Sequence, residues 1–275
     1  LTVYPLVQLV IISFQEFGRA QIFGSPPAWV WFENYADVLT DPTFWTVLAR
    51  SVAFALVNVI LTMLLGVLVA LLMTRLNRGF RLLVSAGLLL AWAMPPITAT
   101  VVWGWLFDTR AGVINYVLTT VFGLPFQGHS WLIEPLSFFF VATVIITWQS
   151  IPFVAFTTFA GLTQVPTEIM EAAELDGSTR FQRFRFITFP FIRPVLLVLL
   201  LLQIIWDMRV FPQIKALQTI GGIASETRTI GVYIYDTSIA GGNLGSGGAI
   251  AVILVIVMLA LSAYYIRSTL RQDEA

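Results

Sequence analysis

Six apolar runs, each near the length that crosses the hydrocarbon core of a bilayer, constrain this chain more than any other feature. About 20 apolar helical residues span that core, and such runs lie at roughly 1–17, 51–74, 82–107, 136–161, 194–213 and 246–267. In lipid every backbone N–H and C=O must be bonded within its own segment. The runs therefore predict an all-α membrane protein of six transmembrane helices, folded as one domain over 1–275. The first run begins abruptly inside apolar sequence, and Tyr4-Pro5 continues to Phe14 without a small-residue cleavage site. It reads as the remnant of a longer, truncated first helix rather than as a cleaved signal peptide.

Composition agrees and removes most chemistries. Hydrophobic residues make up 58% of the chain and charged residues 11%, against about 25% charged in soluble proteins, and the mean hydropathy is +0.86. Fifteen basic residues balance fifteen acidic ones, so no nucleic-acid partner is suggested. With no cysteine and one histidine, His129, disulfides, thiolate nucleophiles and multi-histidine metal sites are excluded. His129 sits between Gly128 and Ser130 and reads as a solvated loop residue. There is no G-x-x-x-x-G-K-[ST] run, and the single lysine, Lys215, follows no glycine loop. The chain cannot itself be an ATP-driven motor.

Orientation follows from the basic residues. The segments 75–81, 162–193 and 267–275 hold nine of them, while the longer intervening loops 18–50, 108–135 and 214–245 hold five. Both termini and the 162–193 segment are thus expected on the cytoplasmic side.

Within that segment, Val165 to Pro194 mixes both charges densely between two apolar runs. Pro166 and Thr167 open a helix as stop and N-cap, Glu168 and Glu171 sit in its first turns where the macrodipole favours anions, and Asp176-Gly177 closes it with a left-handed cap. Ser178 can cap a second, interfacial helix over 179–188, with Arg180, Arg183 and Arg185 spaced among Phe181, Phe184 and Phe186. The pattern Glu171-Ala172-Ala173, three residues, Gly177, nine residues, Ile187, one residue, a large apolar residue and Pro190 resembles the EAA loop of ABC-importer permease subunits. That family usually carries Leu where this chain has Phe189.

The resemblance implies a type I ABC-importer permease fold in which this loop is a cytoplasmic EAA coupling helix docking into a groove on an ATPase. Glu171, Ala172, Ala173, Asp176 and Gly177 would then couple transport to ATP hydrolysis. Small residues admit a close partner, a carboxylate meets a basic one, and glycine permits the reversal. The resemblance also implies a second homologous permease subunit, two ATP-binding subunits that carry ATP and Mg, and an extracytoplasmic solute-binding protein. It implies no cofactor in this chain and a place in the bacterial cytoplasmic (inner) membrane.

Other segments narrow the substrate class. Glu33-Asn34-Tyr35, within Trp29–Tyr35, resembles the "ENY" segment of sugar-importer permeases, although an interfacial aromatic belt suits these residues equally. Asp41-Pro42 reads as N-cap and first helical position, opening a short helix with Phe44, Trp45 and Leu48 ahead of the second span. The run Trp148-x-x-x-Pro152-Phe153 and Leu217-Gln218-Thr219-Ile220-Gly221-Gly222 resemble further sugar-permease segments, the latter with residues that disturb its register. Gly241–Ala249 offers small residues for close helix approach to the last span.

Met94-Pro95-Pro96 and Pro152 should break their spans mid-membrane, where freed carbonyls need protein or water. Either a pore lining or a packing kink meets that requirement. Asp207 and Arg209 are costly in a span and, two residues apart, cannot pair on one regular helix face, so each needs its own partner or the helix unwinds. Trp103, Trp148, Gln149, Trp206, Asp207 and Arg209 form the candidate path for a sugar or sugar-like solute, offering aromatic faces beside hydrogen-bonding edges. A secondary transporter or channel not driven by ATP is the alternative, and broken helices alone do not separate the two.

Overall fold

The computed structural model describes residues 3–273, so the ends of the expected first run and of the polar tail lie outside the described residues. In chain order the helices of six residues or more are α1 (Val3–Ser13), α2 (Glu33–Thr40), α3 (Pro42–Arg75), α4 (Arg78–Ala93), α5 (Pro96–Leu106), α6 (Val113–Thr120), α7 (Pro135–Leu162), α8 (Thr167–Leu175), α9 (Arg180–Met208), α10 (Pro212–Ile220), α11 (Ile230–Tyr235) and α12 (Leu244–Asp273). Strands β1 (Gln15–Glu16) and β2 (Ala28–Trp29) pair antiparallel.

Among the described residues, α3, α7, α9 and Leu244–Tyr265 of α12 are each long and apolar enough to cross a membrane. Helices α4 and α5 are long and apolar enough only when taken together, and the pair is bent by 105° at Met94-Pro95, the geometry of a broken span or of a re-entrant loop. Prolines 95 and 96 cause the bend, because neither donates to a helix and each pushes the residue before it into extended geometry. Helix α1 is apolar but only 11 residues long. The chain leaves it at Ser13 for β1, which the sequence did not announce.

The helix expected over Phe44, Trp45 and Leu48 is not separate from the second span. Asp41 caps α3 by accepting the Thr43 N–H at 2.8 Å, a bond that holds its carboxyl below the usual carboxylate range. From Pro42 the sequence offers no breaker before Gly66, so α3 runs unbroken for 34 residues.

The residues fall into two compact units. In the first, made of 1–53, 208–215 and 224–275, α1 and α2 pack against α12. Buried Asn34 donates to the carbonyls of Ser13 and Gln15, at 2.9 Å each, and so ties α2 to the end of α1. Gly245 is required here, since a Cβ would lie 2.4 Å from the Gln15 carbonyl oxygen. The small residues before the last span do admit close approach. Val38, Phe44, Val47, Ile230, Ala249 and Ile250 form the core.

The second unit holds 54–207 and 216–223 and is built around α7, against which α4 and α5 pack. Phe138, Val141, Ala142, Ile145, Val154 and Ala155 are buried on more than one side of the helix, as its central place requires. Helix α3 runs parallel to α7, because Phe54 meets Phe139 at 5.1 Å and, three turns on, Gly66 meets Val154. A Cβ on Gly66 would lie 2.6 Å from the Val154 Cβ, an atom no rotamer change can move. Alanine favours a helix by about 1 kcal/mol over glycine, but overpacking costs about 1–3 kcal/mol. Gly66→Ala should therefore lower the thermal midpoint of the detergent-purified protein. Gly87→Ala in α4, where nothing lies within 4 Å, should not.

Candidate functional site

The 162–193 segment folds into two capped helices joined by a tight reversal. Pro166 is the N-cap of α8 and Thr167 its first helical residue, one position from the sequence expectation. At the other end Gly177 takes φ +76. The Ser178 N–H reaches the Ala173 carbonyl and the Gly177 N–H the Glu174 carbonyl, at 3.0 Å each. These bonds are a Schellman motif, which satisfies the last carbonyls of α8 and fixes the direction in which the chain leaves.

Helix α9 is then capped by Thr179 rather than by Ser178. Thr179 Oγ1 accepts the Gln182 N–H at 3.3 Å while Gln182 Oε1 accepts the Thr179 N–H at 2.7 Å, a reciprocal capping box. Arg183 pairs with Glu174 across the reversal and braces α8 against α9. The expected interfacial helix does not end before the fifth span. A π-helical turn over Phe184–Thr188 carries the chain to Pro190, and the helix continues to Met208. Widening one turn accommodates a proline ring that would clash in a regular helix. On α8 Glu171 and Ala172 are exposed, Ala173 is half-buried, and Asp176 and Gly177 follow exposed in the reversal. Leu175 is 90% exposed, which leaves an apolar side chain at the tip of the loop.

The second region surrounds the α4–α5 break. Gln149 of α7 donates from Nε2 to the Met94 carbonyl at 3.0 Å, so protein satisfies a carbonyl freed by the prolines. Trp103 of α5 meets Trp148 edge to face at 5.7 Å and stacks with Phe107 at 6.2 Å. Trp206 meets Phe153 at 5.0 Å. Phe153 is one turn beyond Gln149 on α7, so Trp206 lies against the face that carries Gln149. Trp103, Trp148, Gln149 and Trp206 are all half-buried.

Asp207 is buried at 4% exposure, and Gln203 Nε2 lies 3.3 Å from each of its carboxylate oxygens. It makes no ion pair among the described residues. Helix α9 ends at Met208, and Arg209 is exposed in the turn beyond it. The helix does unwind at this pair.

Sequence reading passed over several polar groups. Asn58 and Thr62, buried on α3, stand four residues apart in an apolar run, the spacing of one helix face. In the first unit Asp236 lies between Lys215 at 2.8 Å and Arg228 at 3.2 Å. Lys215 is also 5.3 Å from the Tyr235 ring centroid. No local pattern announces a cluster whose members come from three segments. His129 is half-buried rather than solvated, with its ring 5.1 Å from Phe126 and 4.8 Å from Trp131.

Long apolar helices, a bent pair whose Met94 carbonyl a facing amide satisfies, and a capped polar reversal define a helical membrane protein. Residues 62–272 match the family described as "Binding-protein-dependent transport system inner membrane component", and the chain belongs to it. It is 42% identical over 271 residues to the diacetylchitobiose uptake system permease protein DasB of Streptomyces coelicolor, covering 98% of this chain and 82% of the relative. It is 32% identical to the sulfoquinovosyl glycerol transport system permease protein SmoG of Agrobacterium fabrum, with 98% and 86% covered. A crystal structure of a bacterial alginate ABC transporter, in complex with alginate pentasaccharide-bound periplasmic protein, contains a chain of the same fold. It superposes with a TM-score of 0.82 at 20% identity, covering 96% of this chain and 87% of that one. The chain is a multi-pass inner-membrane permease of a binding-protein-dependent ABC importer. It is not an enzyme, and separate subunits hydrolyse the ATP.

Proposed function

We propose that this permease forms, with its homologous partner, the path for a sugar or sugar-like solute. Identity of 42% across nearly the whole chain to a permease named for diacetylchitobiose uptake carries that reading. We read the chain as one permease domain whose six spans are completed by α1 and the α4–α5 pair, with both termini and the 162–193 loop cytoplasmic. ATP and Mg belong to the partner ATPases, and this chain carries no cofactor. Helix α8 is the EAA coupling helix: Glu171, Ala172, Ala173, Asp176 and Gly177 engage the ATPase, and the capped, braced reversal supports that role.

The solute passes Trp103, Trp148, Gln149, Trp206, Asp207 and Arg209, where half-buried indoles beside amide and acid edges suit a polyol. The test is uptake of labelled disaccharides by proteoliposomes holding the full complex and its binding protein. Sugar uptake should require ATP inside, and the purified chain alone should turn over no nucleotide. Accumulation of a sugar without ATP would make the chain part of a secondary transporter, and transport of amino acids alone would remove the sugar assignment.

A further inference from the structure

Behind the coupling face of α8 lies a cavity of about 370 Å³, and nothing in the transport cycle described above uses it. Its polar lining is Arg75 and Thr74 from the end of α3, Thr167 from α8, and Arg180, Arg183 and Thr188 from the first turns of α9. Arg183 is committed to Glu174. Arg75 and Arg180 have no ion-pair partner among the described residues and are exposed. The remaining wall is apolar, with Leu71, Leu162 and Phe184.

We propose that this cavity binds the phosphate of an anionic phospholipid headgroup from the inner leaflet. Guanidinium forks and hydroxyls match phosphate oxygens in geometry as well as charge, and basic pockets between spans on the cytoplasmic side take such headgroups. The apolar surroundings favour a lipid over a free phosphate. Residues within one turn of the lining in sequence are large and exposed: Leu72 is 50% exposed, Phe181 72% and Leu68 52%. An acyl chain can lie along these while its phosphate enters among the arginines. Thr167 and Met170 of α8 line the cavity and Glu171, Ala172 and Leu175 do not, although Glu171 follows Thr167 by one turn on the same face, so the site borders the coupling residues. The inference rests on the cytoplasmic placement of the 162–193 loop proposed above.

The experiment titrates phosphatidylglycerol, and separately phosphatidylcholine, into the detergent-purified complex of both permeases and the ATPase subunits, read by native mass spectrometry. Phosphatidylglycerol should be the better retained. Arg75→Gln and Arg180→Gln should each weaken it about fivefold, the factor that corresponds to roughly 1 kcal/mol per cation at an anionic surface. Arg75→Lys and Arg180→Lys keep the charge and should keep most of the lipid. Equal retention by the double glutamine variant, or equal retention of phosphatidylcholine, overturns the proposal. Displacement by millimolar inorganic phosphate would make the ligand a free anion and overturn the lipid assignment. Loss of ATPase subunits from the double glutamine variant, with lipid retained, would place a partner carboxylate in the cavity. The chain has no cysteine, so Gln164→Cys labelling in intact cells and inverted vesicles tests the loop's sidedness independently. Labelling from outside defeats the placement itself, and labelling from inside without lipid selectivity defeats only the lipid site.

Discussion

Gly177→Pro should abolish uptake, by a factor well above that of any other loop substitution, while leaving the chain inserted in the membrane. Gly177 sits at φ +76 and its N–H donates to the Glu174 carbonyl. Proline is fixed near φ −65 and has no N–H, so both the left-handed turn and one Schellman bond disappear together. The reversal then cannot hold α8 in its present direction from α9, although neither helix loses its apolar face. Gly177→Ala is the graded control, since a non-glycine residue in this region costs about 1–3 kcal/mol but keeps the N–H. It should retain partial uptake. Glu171→Lys tests the surface and not the turn. Glu171 is exposed, so its replacement leaves the fold alone but reverses the charge offered to the ATPase. Truncating a charge paired across an interface costs about 2–5 kcal/mol, and reversal should place uptake at or below that loss, with ATPase subunits dissociating in the same variant. Normal uptake in both Gly177→Pro and Glu171→Lys, at normal assembly, would reduce α8 to an ordinary surface helix.

How much of this was legible in the sequence depends on the range of the interaction that decides each feature. The cores of α3, α7, α9 and α12 were readable because burial in lipid acts on each segment alone. The break at Pro95-Pro96 was readable because two consecutive prolines remove two donors and force extended geometry, whereas the break expected at Pro152 does not form, since a single proline inside the packed α7 leaves the helix continuous from Pro135 to Leu162. That Gln149 would satisfy the Met94 carbonyl was not readable, since the two are 55 residues apart and nothing local selects one amide over another. The reversal at Asp176-Gly177 was read correctly from turn chemistry. The join of the next helix to the fifth span was missed, because Pro190 argues locally for a stop and only the π turn at Phe184–Thr188 overrides it. Likewise α1 ends early because Asn34 captures the carbonyls of Ser13 and Gln15. A hydropathy run cannot contain that information.

Asp207 is where the candidate path is most sharply testable. A carboxylate at 4% exposure inside an apolar helix is costly to keep, and its bonds among the described residues come from Gln203, one turn earlier on α9. Gln203 can hold the side chain in one rotamer but cannot neutralise it. The geometry is that of a positioned acceptor. A sugar hydroxyl donates well to a charged oxygen, and hydrogen bonds to a charged group are worth about 1.5–3 kcal/mol. Asp207→Asn keeps the volume and still offers Gln203 an oxygen, so the chain should assemble with its partners and retain basal ATP hydrolysis. Uptake should fall about tenfold or more, because the charged acceptor is gone. Asp207→Leu separates this from packing: it orphans the Gln203 amide, at a cost of about 1–3 kcal/mol, and should lower the thermal midpoint as well as uptake. If Asp207→Asn transports normally, the acid lies outside the path. If it fails to assemble, the carboxylate is a structural group and the solute route must be sought along the Trp103 and Trp148 pair.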